Sequence, residues 1–206
     1  MRKTGLFTML FISFITSQAQ KHSFYGALHA GLASSQGREA KISSGVGIEL
    51  EASLSERFYV VARPTLNFRG YNANLQVNSV KVTYLDFPVT LESLLGAPAK
   101  MNLFIGAGGY FGLALAGKYK TNLSFNSTEW QTLKIGEKIS DNRSSSDYGL
   151  SFNGGVRFAG GNRVVKMGVQ TQWGLKNVVP KDAQSDPNNS PIRLRNITAY
   201  LSIAIF

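Results

Sequence analysis

The sequence predicts an all-β protein folded as an eight-stranded antiparallel up-and-down β-barrel. Three observations predict it. Eight segments alternate between apolar and polar side chains with a period of two, which is typical of strands whose two faces meet different surroundings. The connections between these segments alternate between short and long, as in a row of hairpins. The two clearest segments, 148–158 and 165–175, do not fit a helical period.

The predicted strands are each about ten residues long, the usual length of a strand in a membrane barrel. The seventh is the clearest, because its odd positions from Val165 to Leu175 are almost all apolar while its even positions carry Lys, Gly and Gln. The sixth repeats this pattern from Tyr148 to Phe158. In chain order the strands are 24–32, 46–53, 58–69, 84–92, 101–115, 148–158, 165–175 and 197–205.

Charged side chains share the polar faces of these strands with glycine, while His29 is on the polar face of the first strand. The charged positions are Glu49 and Glu51 in the second strand, Arg63 in the third, Asp86 and Glu92 in the fourth, Arg157 in the sixth and Lys166 in the seventh.

The connections predict how the barrel is oriented. Short turns are expected around 55–56, 95–99 and 159–162, and long loops at about 34–44, 70–79, 118–147 and 176–194. Outer-membrane barrels have short periplasmic turns and longer external loops. We therefore expect both chain termini on the periplasmic side and the long loops outside the cell.

Residues 1–19 are predicted to be a secretory signal peptide, leaving residues 20–206 as the barrel domain. Arg2 and Lys3 precede an apolar stretch, and Ser17 and Ala19 supply small residues before a cleavage site after Ala19. The alternative is a membrane anchor, but the apolar stretch is about half of the ~20 residues that a spanning helix needs.

Composition excludes much of the usual chemistry. The chain has no Cys and two His, which excludes disulfide scaffolds, zinc fingers and thiol nucleophiles and argues against a multi-histidine metal site. Both histidines, His22 and His29, lie in or just before the first strand, away from the loop acids. We expect no catalytic site, no cofactor and no metal. The glycine runs at 45–47, 106–109 and 154–155 open no helix, so we interpret them as close strand packing and not as phosphate-binding loops.

Two stretches resemble a known family. Residues 84–89 (YLDFPV) followed by 103–110 (LFIGAGGY) resemble the middle of the PorT-like "outer membrane protein beta-barrel domain" family, and 154–158 (GGVRF) leading into 173–178 (WGLKNV) resembles its last hairpin. This resemblance implies a porin-family barrel of the OmpX and OmpA type in the outer membrane of a Gram-negative bacterium. The chain ends on Phe206, like many outer-membrane barrels whose last aromatic residue is an assembly signal read by the barrel assembly machinery. Phe206 is out of phase with the apolar face of Ile197 to Ile205.

Alternation alone leaves two interpretations of the apolar face. It contacts lipid in a transmembrane barrel, but it lines a ligand pocket in a secreted lipocalin-like carrier. Charges of both signs on the other face favour the transmembrane barrel, with those charges paired inside because a lone buried charge costs several kcal/mol. An eight-stranded interior is just wide enough for side chains to fill it, so a wide pore is not expected. The predicted interior network is Glu49, Glu51, Arg63, Asp86, Glu92, Arg157 and Lys166, with a general acid or base role for Glu49, Glu51 and Asp86 as the alternative to a structural one.

The formal net charge of +10 suggests that the chain contacts negatively charged partners. Basic residues outnumber acidic ones in the four predicted long loops, which suits contact with outer-membrane lipid and the phosphates of lipopolysaccharide. The sequence shows neither basic clusters nor a stacking sheet, so nucleic acid is not an expected partner. Tyr71, Tyr119 and Trp130 are candidate loop contacts, with ordinary interfacial aromatics as the alternative.

Four functions remain open from the sequence. The first is a structural or surface-binding role through the long loops. The second is an accessory subunit of a secretion or envelope-assembly machine, which the PorT-like resemblance implies, with an envelope protein as partner. Narrow-pore solute passage and the lipocalin-like carrier are the others.

Overall fold

The computed structural model describes residues 22–35, 41–71, 77–96, 100–121, 130–136, 138, 141, 143–160, 163–179 and 192–204. The predicted cleavage site after Ala19 and the terminal Phe206 lie outside the described residues. No helix in the described part of the chain is long and apolar enough to cross a membrane.

The described chain forms ten β-strands. All eight predicted strands are present, the third is split in two, and a two-residue strand is added after the fifth. The strands are β1 (His22–Ser35), β2 (Lys41–Ser53), β3 (Phe58–Ala62), β4 (Thr65–Tyr71), β5 (Val77–Leu95), β6 (Met101–Thr121), β7 (Gln131–Thr132), β8 (Ser146–Gly160), β9 (Arg163–Gly174) and β10 (Leu194–Ala204).

The strands close into a ring. Adjacent strands of the ring pair antiparallel, and β1 pairs with β10 from Tyr25↔Ala204 to Ser35↔Leu194. β3 and β4 both lie between β2 and β5, so they act as the two halves of one strand. β7 pairs only with the end of β6 and stands outside the ring. The ring therefore has the eight antiparallel strands that the sequence predicts.

The break between β3 and β4 falls at Arg63 and Pro64, where the proline lacks an N–H for the ladder. Other hydrogen bonds hold this segment: the Arg63 N–H donates to the Pro88 carbonyl (3.0 Å) and the Ile48 N–H donates to the Pro64 carbonyl (3.1 Å). The alternation continues across the break, because Arg63, Thr65 and Asn67 are all buried. Arg63 therefore keeps the inward direction that the period of two predicts.

The two faces of the ring differ in polarity. Along β2, Val46, Ile48 and Leu50 are exposed on the outer face, whereas the intervening Glu49 is completely buried. β5 and β6 repeat this arrangement with Val89, Leu91, Leu103 and Ile105 outside. A lipocalin-like carrier has apolar side chains inside its barrel. The lipocalin alternative is therefore wrong.

Two of the predicted long loops are shorter than expected. β1 ends at Ser35 and β2 begins at Lys41, while β4 ends at Tyr71 and β5 begins at Val77. The strands extend beyond their apolar residues because backbone pairing does not require apolar side chains. The end of the ring that carries the four predicted long connections is called the upper end below, and the end with the three short turns the lower end.

Apolar side chains cluster at the upper end of the ring. Leu133 and Val178 come from the third and fourth long connections and pack on the inner side of β5 and β10. The Leu133 N–H donates to the Gly117 carbonyl (2.9 Å), and the Ser144 N–H donates to the Val178 carbonyl (2.9 Å). This upper apolar cluster consists of Val80, Val82, Tyr84, Leu133, Val178 and Leu194.

Candidate functional site

The charged interior is assembled from strands that are distant in sequence. Glu49 and Glu51 point inward from β2, Glu92 from β5 and Lys166 from β9, because residues two apart on a strand share a face. Arg63 joins them from the break between β3 and β4. Each of these side chains is at most about 5 % exposed.

Lys166 is the centre of the lower part of this network. Its Nζ donates to Glu49 Oε1 (2.6 Å), Glu51 Oε2 (3.0 Å) and Glu92 Oε2 (2.7 Å). All three N–H bonds of the ammonium group therefore have carboxylate acceptors. Such charge-assisted hydrogen bonds are roughly twice as strong as those between neutral groups.

Arg63 links two of the same carboxylates. Its Nε donates to Glu49 Oε2 (2.6 Å), its Nη2 donates to Glu92 Oε1, and its guanidinium carbon lies 4.6 Å from the Tyr200 ring centroid. Ser202 Oγ also donates to Glu49 Oε2 (2.9 Å). Both oxygens of Glu49 thus accept hydrogen bonds from protein groups.

Arg157 marks the lower mouth of the interior. Its Nη2 donates to Glu51 Oε1 (3.2 Å), which also accepts a hydrogen bond from the Tyr25 hydroxyl (3.3 Å). The Arg157 side chain is 17 % exposed, so it reaches the solvent at the lower end. The lower network therefore holds three carboxylates and three cations, and its formal charge is zero: Glu49, Glu51, Glu92, Arg63, Arg157 and Lys166.

Asp86 belongs to a second, upper network. It accepts hydrogen bonds from Arg69 Nη2 and Asn67 Nδ2, both from β4. Arg69 Nη2 also donates to Gln172 Oε1 (2.6 Å) on β9. The predicted network therefore divides, with Asp86 apart from the other six residues.

The upper network also holds buried charges that sequence reasoning missed. Asp147 Oδ2 accepts a hydrogen bond from the Tyr110 hydroxyl (2.8 Å), and Arg143 Nε donates to the Tyr84 hydroxyl (2.5 Å). Asp147 was placed in a loop, although it lies two positions before Gly149 on the polar face of the sixth predicted strand. Arg143 lies in the third long connection, where no periodicity indicates a direction.

Glycines on the inner face make room for these side chains. A Cβ at Gly106 would lie 2.3 Å from Asn153 Oδ1 and 2.8 Å from Glu92 Cγ. A Cβ at Gly108 would lie 2.0 Å from the Val89 carbonyl oxygen, a backbone atom of the neighbouring strand. The glycine runs therefore serve close packing within the ring.

The three candidate loop contacts occupy different places. Trp130 is 40 % exposed, and Lys81 Nζ lies 4.9 Å from its ring centroid. Tyr119 lies on β6 and packs against the upper apolar cluster, so it is a strand residue and not a loop residue. Tyr71 is the last residue of β4, and its side chain is outside the description, as is that of His29.

The arrangement offers paired charges and no recognisable reactive group. Among the described residues, no three His, Cys, Asp or Glu side chains are grouped to hold a metal ion. Both oxygens of Glu49 accept hydrogen bonds from cations, which favours the ionised carboxylate and makes it a weak base. The chemistry that the network supports best is mutual neutralisation of buried charge.

A closed antiparallel ring with an apolar outer face and a charged interior defines the class of strand-built membrane proteins. Residues 5–203 match the family model described as "Outer membrane protein beta-barrel domain". The chain belongs to this family, and its location is the bacterial outer membrane. A search of curated protein sequences gives no significant match.

Three solved structures are similar to this chain. Neisserial surface protein A is 12 % identical with a TM-score of 0.48 and covers 89 % of this chain and 99 % of its own. Ail, the attachment invasion locus protein of Yersinia pestis, is 11 % identical with a TM-score of 0.49 and covers 89 % and 97 %. OprG from Pseudomonas aeruginosa is 12 % identical with a TM-score of 0.45 and covers 91 % and 95 %.

Proposed function

We propose that this protein is a transmembrane barrel with a closed interior, which acts in a structural or surface-binding role through its upper end and does not act as an enzyme. The signal peptide is removed after Ala19, and the barrel assembly machinery inserts the mature chain with Phe206 as its signal. The upper end faces the cell exterior. The PorT-like resemblance remains a prediction, and with it the role of accessory subunit.

The observation that carries this proposal is the balance of charge in the interior. The two networks together hold five carboxylates and five cations, all buried or nearly so. A path for solute would require separating several of these pairs inside a ring of eight strands, which side chains are sufficient to fill. The upper apolar cluster adds a second barrier above them.

The charge outside the interior supports a role at the upper surface. In the described residues, Glu56 and Asp141 are the only acidic side chains outside the two networks, and Glu56 is at the lower end. The described part of the upper end is strongly basic, which suits the phosphates of the outer leaflet. Its described basic residues are Lys41, Lys81, Lys118, Lys120, Lys134, Lys138, Lys176, Arg193 and Arg195.

Recording current across a planar bilayer tests the closed interior. We expect the purified full-length mature chain to give no discrete single-channel steps at neutral pH. A parallel sample in liposomes, shown to be folded by its faster migration on an unboiled gel, establishes that the protein is inserted. Reproducible steps from the folded protein would contradict the proposal and favour narrow-pore passage.

A further inference from the structure

A groove of about 800 Å³ lies on the outer face of the ring near the upper end. It crosses strands β1, β2, β4, β5 and β6, and its lining also includes Arg69 of the upper network and Val82 of the upper apolar cluster. Its outward side chains form an apolar part and a basic part. The residues that define the groove for this argument are Leu32, Ile42, Phe68, Lys41, Lys81 and Lys118.

The apolar part is exposed. Ile42 is 83 % exposed, Leu32 53 % and Phe68 48 %. These side chains continue the apolar outer face of β1, β2 and β4, the face that a membrane barrel presents to lipid. An occupant of this part is therefore an acyl chain.

The basic part contains a like-charge pair. Lys81 and Lys118 are direct partners in the β5–β6 ladder, and both side chains are exposed on the outer face. Like charges directly opposite each other destabilise a sheet. Among the described residues that line the groove, none is acidic, so none offsets this repulsion. An external anion bound between the two lysines would offset it.

Lys41 approaches the same point from β2. A Cβ at Gly70 would lie only 3.3 Å from Lys41 Cβ, so the glycine lets the lysine stem cross β4. Lys41 Nζ then donates to Ser79 Oγ (2.7 Å) on β5, which leaves two of its N–H donors beyond that bond. Three cations from three strands therefore border one groove.

Trp130 stands beside the basic part. Lys81 Nζ lies 4.9 Å from its ring centroid, and the ring is 40 % exposed. Tryptophan is enriched where a membrane protein passes from hydrocarbon to headgroup. Its place next to Lys81 puts the cations at headgroup level and the apolar part below them.

We infer that this groove binds one phosphorylated glycolipid of the outer leaflet, with its phosphate between Lys81, Lys118 and Lys41 and an acyl chain along Leu32, Ile42 and Phe68. The inference rests on the proposed function, because it needs the upper end to face the outer leaflet. A soluble anion would use the lysines but not the apolar part, which makes the lipid the better occupant.

Native mass spectrometry of the full mature barrel in detergent tests the site, with diphosphorylated lipid A as the probe. We expect one retained lipid on the unaltered protein and about 30-fold weaker binding for Lys81→Gln/Lys118→Gln, from about 1 kcal/mol for each lysine at a membrane surface. The matched control is Lys100→Gln/Arg163→Gln, which removes the same charge at the lower end and should bind as the unaltered protein does. Equal weakening by both pairs would overturn the assignment to this groove.

Two further arms use the unaltered protein and do not depend on how the variants fold. Lipid A without its phosphates should bind at least tenfold more weakly, whereas equal binding would overturn the phosphate contact. Millimolar inorganic phosphate should not displace the lipid, and displacement would show a simple anion site in place of a lipid site. These results are independent of bilayer current, so the lipid site and the closed interior can fail separately.

Discussion

Replacing Lys166 by Met is expected to lower the free energy of unfolding by about 3–5 kcal/mol, the usual cost of breaking a buried ion pair by removing one partner. Lys166 Nζ donates to Glu49, Glu51 and Glu92, so its loss leaves three buried carboxylates facing two arginines. Met keeps most of the volume, which limits the effect to charge. Urea unfolding of the barrel in liposomes, followed by loss of the fast-migrating band, measures it.

Two further variants test whether the loss comes from the buried position of Lys166 and from the charge imbalance that its removal leaves. Lys100→Met removes an exposed lysine at the lower end and should change the unfolding free energy by less than about 0.5 kcal/mol. Adding Glu51→Gln to Lys166→Met restores the interior charge balance and should recover part of the loss. A loss below about 1 kcal/mol for Lys166→Met would contradict the central place given to this lysine.

Gly108→Ala is expected to destabilise the barrel by about 3 kcal/mol, the upper part of the range for overpacking. The new Cβ would lie 2.0 Å from the Val89 carbonyl oxygen, so the paired strands β5 and β6 would have to move apart. This carbonyl group is part of the backbone, so it cannot rotate away from the new Cβ as the end of a flexible side chain could. The temperature at which the unboiled protein loses its fast migration measures the change.

Gly109→Ala is the matched control, one residue further along the same strand. The atom nearest to a Cβ there would be the Gly149 carbonyl oxygen at 3.5 Å, which is an ordinary van der Waals contact. We expect its melting temperature to stay close to that of the unaltered protein. Equal melting temperatures for the two variants would contradict the role of Gly108 in strand spacing.

The strands and their two faces could be predicted from the sequence because lipid and the interior select opposite residue types at alternate positions. That pattern places Glu49 and Lys166 on the inner face without any knowledge of their partners. It does not give the register between strands, and the separation of Asp86 from the lower network depends on register. The division into two networks was therefore visible only in the structure.

Segments without periodicity were beyond prediction. Arg143 and Leu133 come from the third long connection, and their directions are set by contacts with Tyr84 and β6. The lengths of the first and second upper connections were overestimated because polar residues at strand ends resemble loop residues. The pairing of Lys81 with Lys118 joins two positions on different strands, and the sequence pattern of either strand alone does not reveal it.

The measurement that tests the account most directly compares boiled and unboiled protein from the membrane fraction, before and after trypsin is added to intact cells. We predict that the unboiled band migrates faster and that cleavage is confined to the third and fourth long connections, where Lys134, Lys138 and Lys181 lie. Absence of a mobility shift, or cleavage at Arg57, Lys100 or Arg163 in intact cells, would contradict a membrane barrel whose upper end faces outward.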